Sequence, residues 1–307
     1  MNIISKRLWF FIIAGVLALV CIISLATVGI KTGVEFSSGS ILTVSFEQTV
    51  DQIALKEELA TFGYEEALIQ KTGSGDYVIR TPELNETARN TLVNELTDKF
   101  GKFEIKEFDS VSSMIALETA RNAGIAVIVS AVAILLYIAW AFRKMPSPFK
   151  EGTCLVAGLV FDMLMALGIF SILGAIRGWQ IDLMFVAGVL AVVGVSVDNT
   201  VVVFDRIREN MAKGISRDIE EVANFSVVET MGRSFNTSLT MLITLFALAL
   251  FVGTPIQNFV VVLIIGIVSG IFTSICLSPE LLVAWQKKNW GSLSGRATNM
   301  ATVKAKI

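Results

Sequence analysis

Apolar residues in this chain gather into six long runs, and between the first two the pattern breaks into short alternations. The runs are Leu8 to Ile30, Asn122 to Phe142, Cys154 to Ile176, Ile181 to Phe204, Phe235 to Val252 and Phe259 to Trp285. Each can cross ~30 Å of hydrocarbon as a helix rising ~1.5 Å per residue, the last with length to spare for tilt. The pattern predicts an α-helical polytopic membrane protein with six transmembrane helices. The first run follows Lys6 and Arg7 and is longer than a usual signal-peptide core. An uncleaved anchor is expected there, although Ser24-Leu25-Ala26 resembles a weak cleavage site.

Residues 32–121 change character. Ser40 to Glu47 alternates as a strand, with Leu42, Val44 and Phe46 on one face. Val50 to Phe62 has helical spacing through Ile53, Leu55 and Leu59 and stops before Gly63. Ala67 to Lys71 and Tyr77 to Thr81 flank Gly73-Ser74-Gly75, a hairpin signal. Pro82 is expected to open a helix carrying Leu84, Ala88, Leu92, Val93, Leu96 and Phe100, ended by Gly101, before a last strand from Phe103 to Phe108. The order βαββαβ predicts an inserted α+β ferredoxin-like domain. The expected organisation is thus 1–31 for the N-terminus and first helix, 32–121 for the inserted domain, 122–286 for helices two to six, and 287–307 for a tail.

Composition agrees: 54% of residues are hydrophobic and 17% charged, below the ~25% charged of soluble domains. Loop charge sets the orientation. Lys6 and Arg7, then Arg143, Lys144 and Lys150, then Arg206, Arg208, Lys213 and Arg217, then Lys287, Lys288, Arg296, Lys304 and Lys306 all fall on one side. The opposite short loops carry only Arg177. The positive-inside rule puts both termini in the cytoplasm and the inserted domain outside. Trp140, Trp179, Trp285 and Trp290 fit an interfacial belt. No basic block suggests a nucleic-acid partner. Cys21, Cys154 and Cys276 are far apart and the chain has no histidine, so neither a zinc site nor a disulfide framework is expected, and no cofactor. Proton chemistry here falls to carboxylates, water or a partner's groups.

Charged residues inside spans suggest function by default. Asp162 lies about nine residues into span three and shares a face with Cys154, Gly158 and Ala166, a small-residue stripe that admits another helix. In span four, Ala187, Ala191, Gly194 and Asp198 repeat the design, with Asn199 and Thr200 following. Span five begins near Arg233, followed by the polar stripe Asn236, Thr237, Thr240 and Thr244. If these three helices pack together, Asp198 and Arg233 lie at similar depth and can pair. A site whose charge depends on that distance couples ion binding to helix movement. The plainer alternative is a static ion pair, with Asn199 and Thr200 as helix-helix glue. The Asp205-Arg206-Ile207-Arg208-Glu209 run reads as a solvated anchor, and Gly266 with Gly270 marks only a packed helix.

Two stretches resemble the SecF family of protein translocase subunits. Gly194 to Asn210, GVSVDNTVVVFDRIREN, is similar to that family's G-Y-S-x-N-D-T-V-V-V-F-D-R-I-R-E-N. Gly232 to Leu239, GRSFNTSL, resembles its S-R-T-x-N-T-S-L. Gly33-Val34-Glu35-Phe36 is similar to the family's G-I-D-F, and Phe161-Asp162 falls at its H-D. The family's Asn-Asp is reversed here to Asp198-Asn199, its histidine is Phe161, and its first-motif aspartate and a glycine are Glu35 and Ser38.

The resemblance implies a non-enzymatic accessory subunit that pairs with a SecD-like subunit and assists the SecYEG channel. Such a subunit uses the gradient of H+ or Na+ to complete export of a translocating preprotein. It also implies that the ion-coupling groups fall on Asp198-Asn199 and Arg233. The residues add Asp162 and Thr200, and lipid is the surrounding partner. The rival is a resistance-nodulation-division type transporter of small molecules or lipids. A purely structural scaffold is the third class.

Overall fold

The computed structural model describes residues 4–48, 50–65, 67–72, 75–141, 143, 148–251 and 254–287. In chain order its elements are helix α1 (Arg7–Thr27), the single turn α2 (Val34–Ser37), strand β1 (Gly39–Phe46), α3 (Gln52–Thr61), β2 (Leu68–Lys71) and β3 (Tyr77–Thr81). Then come α4 (Glu86–Phe100), β4 (Phe103–Val111), α5 (Ser113–Ala141), α6 (Pro148–Arg177), α7 (Leu183–Ala212), α8 (Ile219–Phe251) and α9 (Thr254–Phe272). A π-helical turn, Thr273–Leu277, joins α9 to α10 (Ser278–Lys287). Among the described residues six helical stretches are long and apolar enough to cross a membrane: α1, α5, α6, α7, α8 and the rod of α9, π turn and α10. The chain divides into a helical unit of 1–30, 127–179 and 184–307 and an αβ unit of 31–126 with 180–183.

In the αβ unit the sheet order is β2-β3-β1-β4, and every neighbouring pair is antiparallel. Leu42 and Val44 of β1 and Tyr77 and Ile79 of β3 bury against Leu55 and Leu59 of α3 and Leu92 and Leu96 of α4. The face of β1 that carries Leu42, Val44 and Phe46 is therefore the packed one. Two expectations need correction. Ile53 is exposed and is no part of the core. The fourth helix starts at Glu86 and not at Pro82, because Asn85 caps it, its Oδ1 accepting from the Ala88 N–H at 2.8 Å. Leu84 stays buried in the loop before it, its N–H donating to Ser40 Oγ at 2.8 Å. Gly101 ends the helix at φ +80°, where a side chain would be strained. Gly73 and Ser74 of the expected hairpin, and the tail from 288 to 307, lie outside the described residues.

Residues 180–183, where the chain enters α7, belong with this unit. Thr32 and Ile181 form a parallel bridge, and the Gly33 N–H donates to the Ile181 carbonyl at 2.8 Å. The Glu35 carboxylate accepts from the Leu183 N–H, at the first residue of α7, at 2.5 Å.

In the helical unit several helices outrun their apolar runs. α6 begins at Pro148 instead of Cys154, α7 ends at Ala212 instead of Phe204, and α8 begins at Ile219 instead of Phe235. Hydrophobic length reports only the part that needs hydrocarbon. Beyond it, Val203, Phe204 and Ile207 share a core with Val222, Ala223 and Val227, so the helices continue. The last span also differs from the continuous helix expected. Pro279 has no N–H to give to the carbonyl four residues back, and the turn before it widens into π bonds. Helix α1 lies tight on α6 where Gly168 meets Cys21, and the Ser24 hydroxyl donates to Ser171 Oγ at 3.1 Å.

Candidate functional site

Asp162 lies midway along α6 and is 1% exposed. Three hydroxyls from two other stretches converge on it. Ser196 of α7 donates to Oδ2, Ser269 of α9 donates to Oδ1, and Thr273 of the π turn donates to Oδ1 at 2.6 Å. An aspartate at the centre of a span costs about 2.5–3.5 kcal/mol, whereas a hydrogen bond to a charged group contributes about 1.5–3 kcal/mol. The three donors therefore offset part of the cost of burying a carboxylate there.

Small residues bring the donors in. A Cβ on Gly188 of α7 would sit 3.3 Å from Val262, Gly266 packs onto Val192, and a Cβ on Gly270 would lie 3.9 Å from Asp162 Oδ2. The Gly266 and Gly270 spacing thus marks the seam between α9 and α7. On α6, Gly158 admits Thr273 and Ser278.

The other site residues divide. Asn199 and Thr200 are buried, at 5% and 2% exposure, on the same side of α7 as Ser196. Asp198 is exposed, as are Ala187 and Gly194 of its expected stripe. The packed face of α7 runs instead through Gly188, Val192, Ser196 and Val203. Arg233, Asn236, Thr237, Thr240 and Thr244 are exposed as well. Among the described residues no ion pair joins Asp198 to Arg233, or either to Asp162. The expected pairing within the chain is therefore not made. Periodicity defines a polar stripe but does not say whether it faces its own bundle.

Sequence reasoning also missed Ser196, Ser269 and Thr273. Their signal was available in the i, i+4 spacing of Ser269 and Thr273 on an apolar span. Buried charges escaped it too, among them Arg7, Glu151 and Glu280 of the helical unit. The Asp205–Glu209 run is more than a solvated anchor. Arg206 bonds Glu229 of α8, and Asn210 Nδ2 donates to Ser226 Oγ at 2.9 Å, clamping α7 to α8. Cys21 meets Met165 Sδ at 3.7 Å and acts as a packing residue. Among the described residues no cluster suited to a metal occurs.

In the αβ unit, burial pushes the Glu35 carboxyl above its ordinary value. The Leu183 amide opposes that, and Asp182 and Asp109 reinforce it.

The sequence profile described as protein export membrane protein SecD/SecF, C-terminal, matches residues 91–288. The chain belongs to the SecD/SecF family of protein export membrane proteins. It is 36% identical to the protein translocase subunit SecF of Thermobaculum terrenum, covering 94% of this chain and 95% of that one. It is 34% identical to the SecF of Anaerolinea thermophila, covering 98% and 99%. Its fold is similar to the crystal structure of SecDF, a translocon-associated membrane protein from Thermus, with TM-score 0.82 and 27% identity. That match covers 94% of this chain and 39% of the larger one. The buried member of the span-four pair is Asn199, and Asp162 is one of the carboxylates sealed inside this chain's helical unit.

Proposed function

We propose that the chain is an accessory subunit of the Sec protein-export machinery. It pairs with a SecD-like six-span subunit and uses the transmembrane gradient of H+ or Na+ to promote late steps of preprotein translocation through a SecYEG-type channel. The observation that carries this reading is Asp162, enclosed by hydroxyls from α7, α9 and the π turn. The three hydroxyls favour the charged form while those helices stay together. When they part it must take up a proton or another cation, so ion binding and helix position are linked.

Membership of a family of export proteins supports the export role. The exposed stripe of Asp198, Arg233, Asn236, Thr237, Thr240 and Thr244 supports a partner, since such groups are costly against lipid. A SecDF chain in Bacillus subtilis carries a matching segment as 38% of its length, which agrees with a two-part assembly. The antiparallel order β2-β3-β1-β4 with two helices supports reading the αβ unit as a ferredoxin-like sandwich. Loop charge supports placing that unit outside the bacterial inner membrane, with both termini in the cytoplasm.

The test is gradient-dependent protein export in vesicles carrying Asp162→Asn, Asp198→Asn or Arg233→Ala. Loss of the gradient-dependent part in Asp162→Asn is expected. Full gradient dependence in all three removes the coupling.

A further inference from the structure

Residues 180–183 are held within the αβ unit from three directions. The Ile181 backbone makes a reciprocal pair with residues 31–33. Its N–H donates to the Lys31 carbonyl at 2.8 Å, and its carbonyl accepts from the Gly33 N–H at 2.8 Å. Glycine permits that approach, since a Cβ on Gly33 would lie 3.1 Å from the Ile181 carbonyl oxygen. The Glu35 carboxylate accepts from the Leu183 N–H. Gln180, with its amide oxygen turned to β3, accepts from Arg80 Nη1 at 2.9 Å.

The two helices that this segment joins are attached to it differently. α6 ends at Arg177 and reaches it through Gly178, at φ +70°, and Trp179. α7 begins inside it, because Leu183 is both the last residue of the segment and the first of the helix. The first N–H groups of a helix have no partner within it, and a carboxylate is favoured there. Glu35 is thus a cap for α7 brought from a distant part of the chain, with no linker between cap and helix. Ser196 follows Leu183 by thirteen residues, roughly 20 Å along an α-helix, and donates to Asp162 Oδ2. A helix is a rigid element, so a displacement at one end is felt at the other.

We propose that Gly33 and Glu35 are positioning residues for ion coupling: by holding Ile181 and Leu183, they tie α7 and its Ser196 donor to the αβ unit. Movement of that unit then changes the number of hydroxyls on Asp162. A change of charge at Asp162 is in turn felt at Leu183, since coupling between sites is reciprocal. This rests on reading Asp162 as an ion-coupling carboxylate. A segment that only closed a loop would hold Ile181 in the same way and leave Asp162 unaffected.

Two readings on the full chain in lipid nanodiscs test this: amide hydrogen exchange at Ile181 and Leu183, and labelling of Asp162 by a hydrophobic carbodiimide. Glu35→Ala removes the acceptor, and Gly33→Ala sets a methyl against the Ile181 carbonyl. Glu35→Gln keeps an acceptor and removes only the charge that Asp182 and Asp109 face. Exchange at Leu183 in Glu35→Ala, and at Ile181 in Gly33→Ala, is expected to quicken by about tenfold. Labelling of Asp162 is expected to rise about fivefold in both as the Ser196 donor is lost, the low end of typical coupling. Glu35→Gln is expected to restore both readings. Quickened exchange with unchanged labelling of Asp162 overturns the proposal, and so does unchanged exchange in both variants. If neither variant folds, Asp162→Asn decides: exchange at Leu183 equal to that of the parent overturns it. These readings need no gradient, partner or export. Normal export by Asp162→Asn would sink the ion-coupling reading without touching them.

Discussion

Thr273 Oγ1 stands 2.6 Å from Asp162 Oδ1, so a π-helical turn of the sixth span supplies a donor to the central carboxylate of the third. Thr273 follows Ser269 by four residues, so the period of α9 aims both hydroxyls at Asp162. A chain with a regular α-helix through Thr273–Leu277 would carry the residues after it around by a fraction of a turn.

Thr273→Val keeps shape and removes that donor. It is expected to weaken the charged form of the site by about 1.5–3 kcal/mol, or roughly 10- to 100-fold in ion occupancy. Gradient-dependent export by the intact assembly measures this, with Thr273→Ser as the rescue.

Glycines on α7 and α9 are not equivalent. Gly266 lies against Val192, whereas a Cβ on Gly194 would meet nothing within 4 Å. Gly266→Ala is expected to cost about 1–3 kcal/mol through overpacking, and Gly194→Ala at most about 0.5 kcal/mol. Thermal unfolding of the two purified variants should separate them.

Glu35 gives a pH dependence with a definite sign. Its carboxyl, normally near 4.5, is raised in the folded chain by burial. The stability tied to its protonated form is fully present below the usual value and is lost as pH rises through the raised one. Glu35→Gln retains an acceptor for the Leu183 N–H without the charge. It is expected to melt higher than the parent at neutral pH, the gap closing as pH falls toward about 4. Melting curves across that range check this.

Arg233 is exposed in the single chain, so Arg233→Leu should leave the isolated chain's stability within about 0.5 kcal/mol. Its effect is expected in the assembly, as reduced co-purification with a SecD-like subunit. Equal recovery of the partner would assign the stripe to lipid contact.

These contrasts show what kind of information the sequence carries. Span existence was legible, because hydrocarbon imposes a minimum apolar length, and so was the division of β1 into two faces, because alternation follows the pleat. Helix ends were not, since α6, α7 and α8 continue through charged turns held by contacts distant in sequence, such as Arg206 with Glu229. Asp162 stood out as a lone carboxylate in an apolar run. Its ligands did not, because Ser196, Ser269 and Thr273 are ordinary span residues until folding brings them together. Asp198 and Arg233 were legible as unusual but not as outward-facing, because partner surfaces and packed surfaces share one period.

The central claim is that Asp162 exchanges between a caged, ionised state and a neutral one as the helices move. Labelling by a hydrophobic carbodiimide, which attacks protonated carboxyls, read peptide by peptide in energised and de-energised membranes, tests it most directly. The account predicts that modification of Asp162 changes when the gradient is imposed and vanishes in Asp162→Asn. Equal modification with and without the gradient would contradict it.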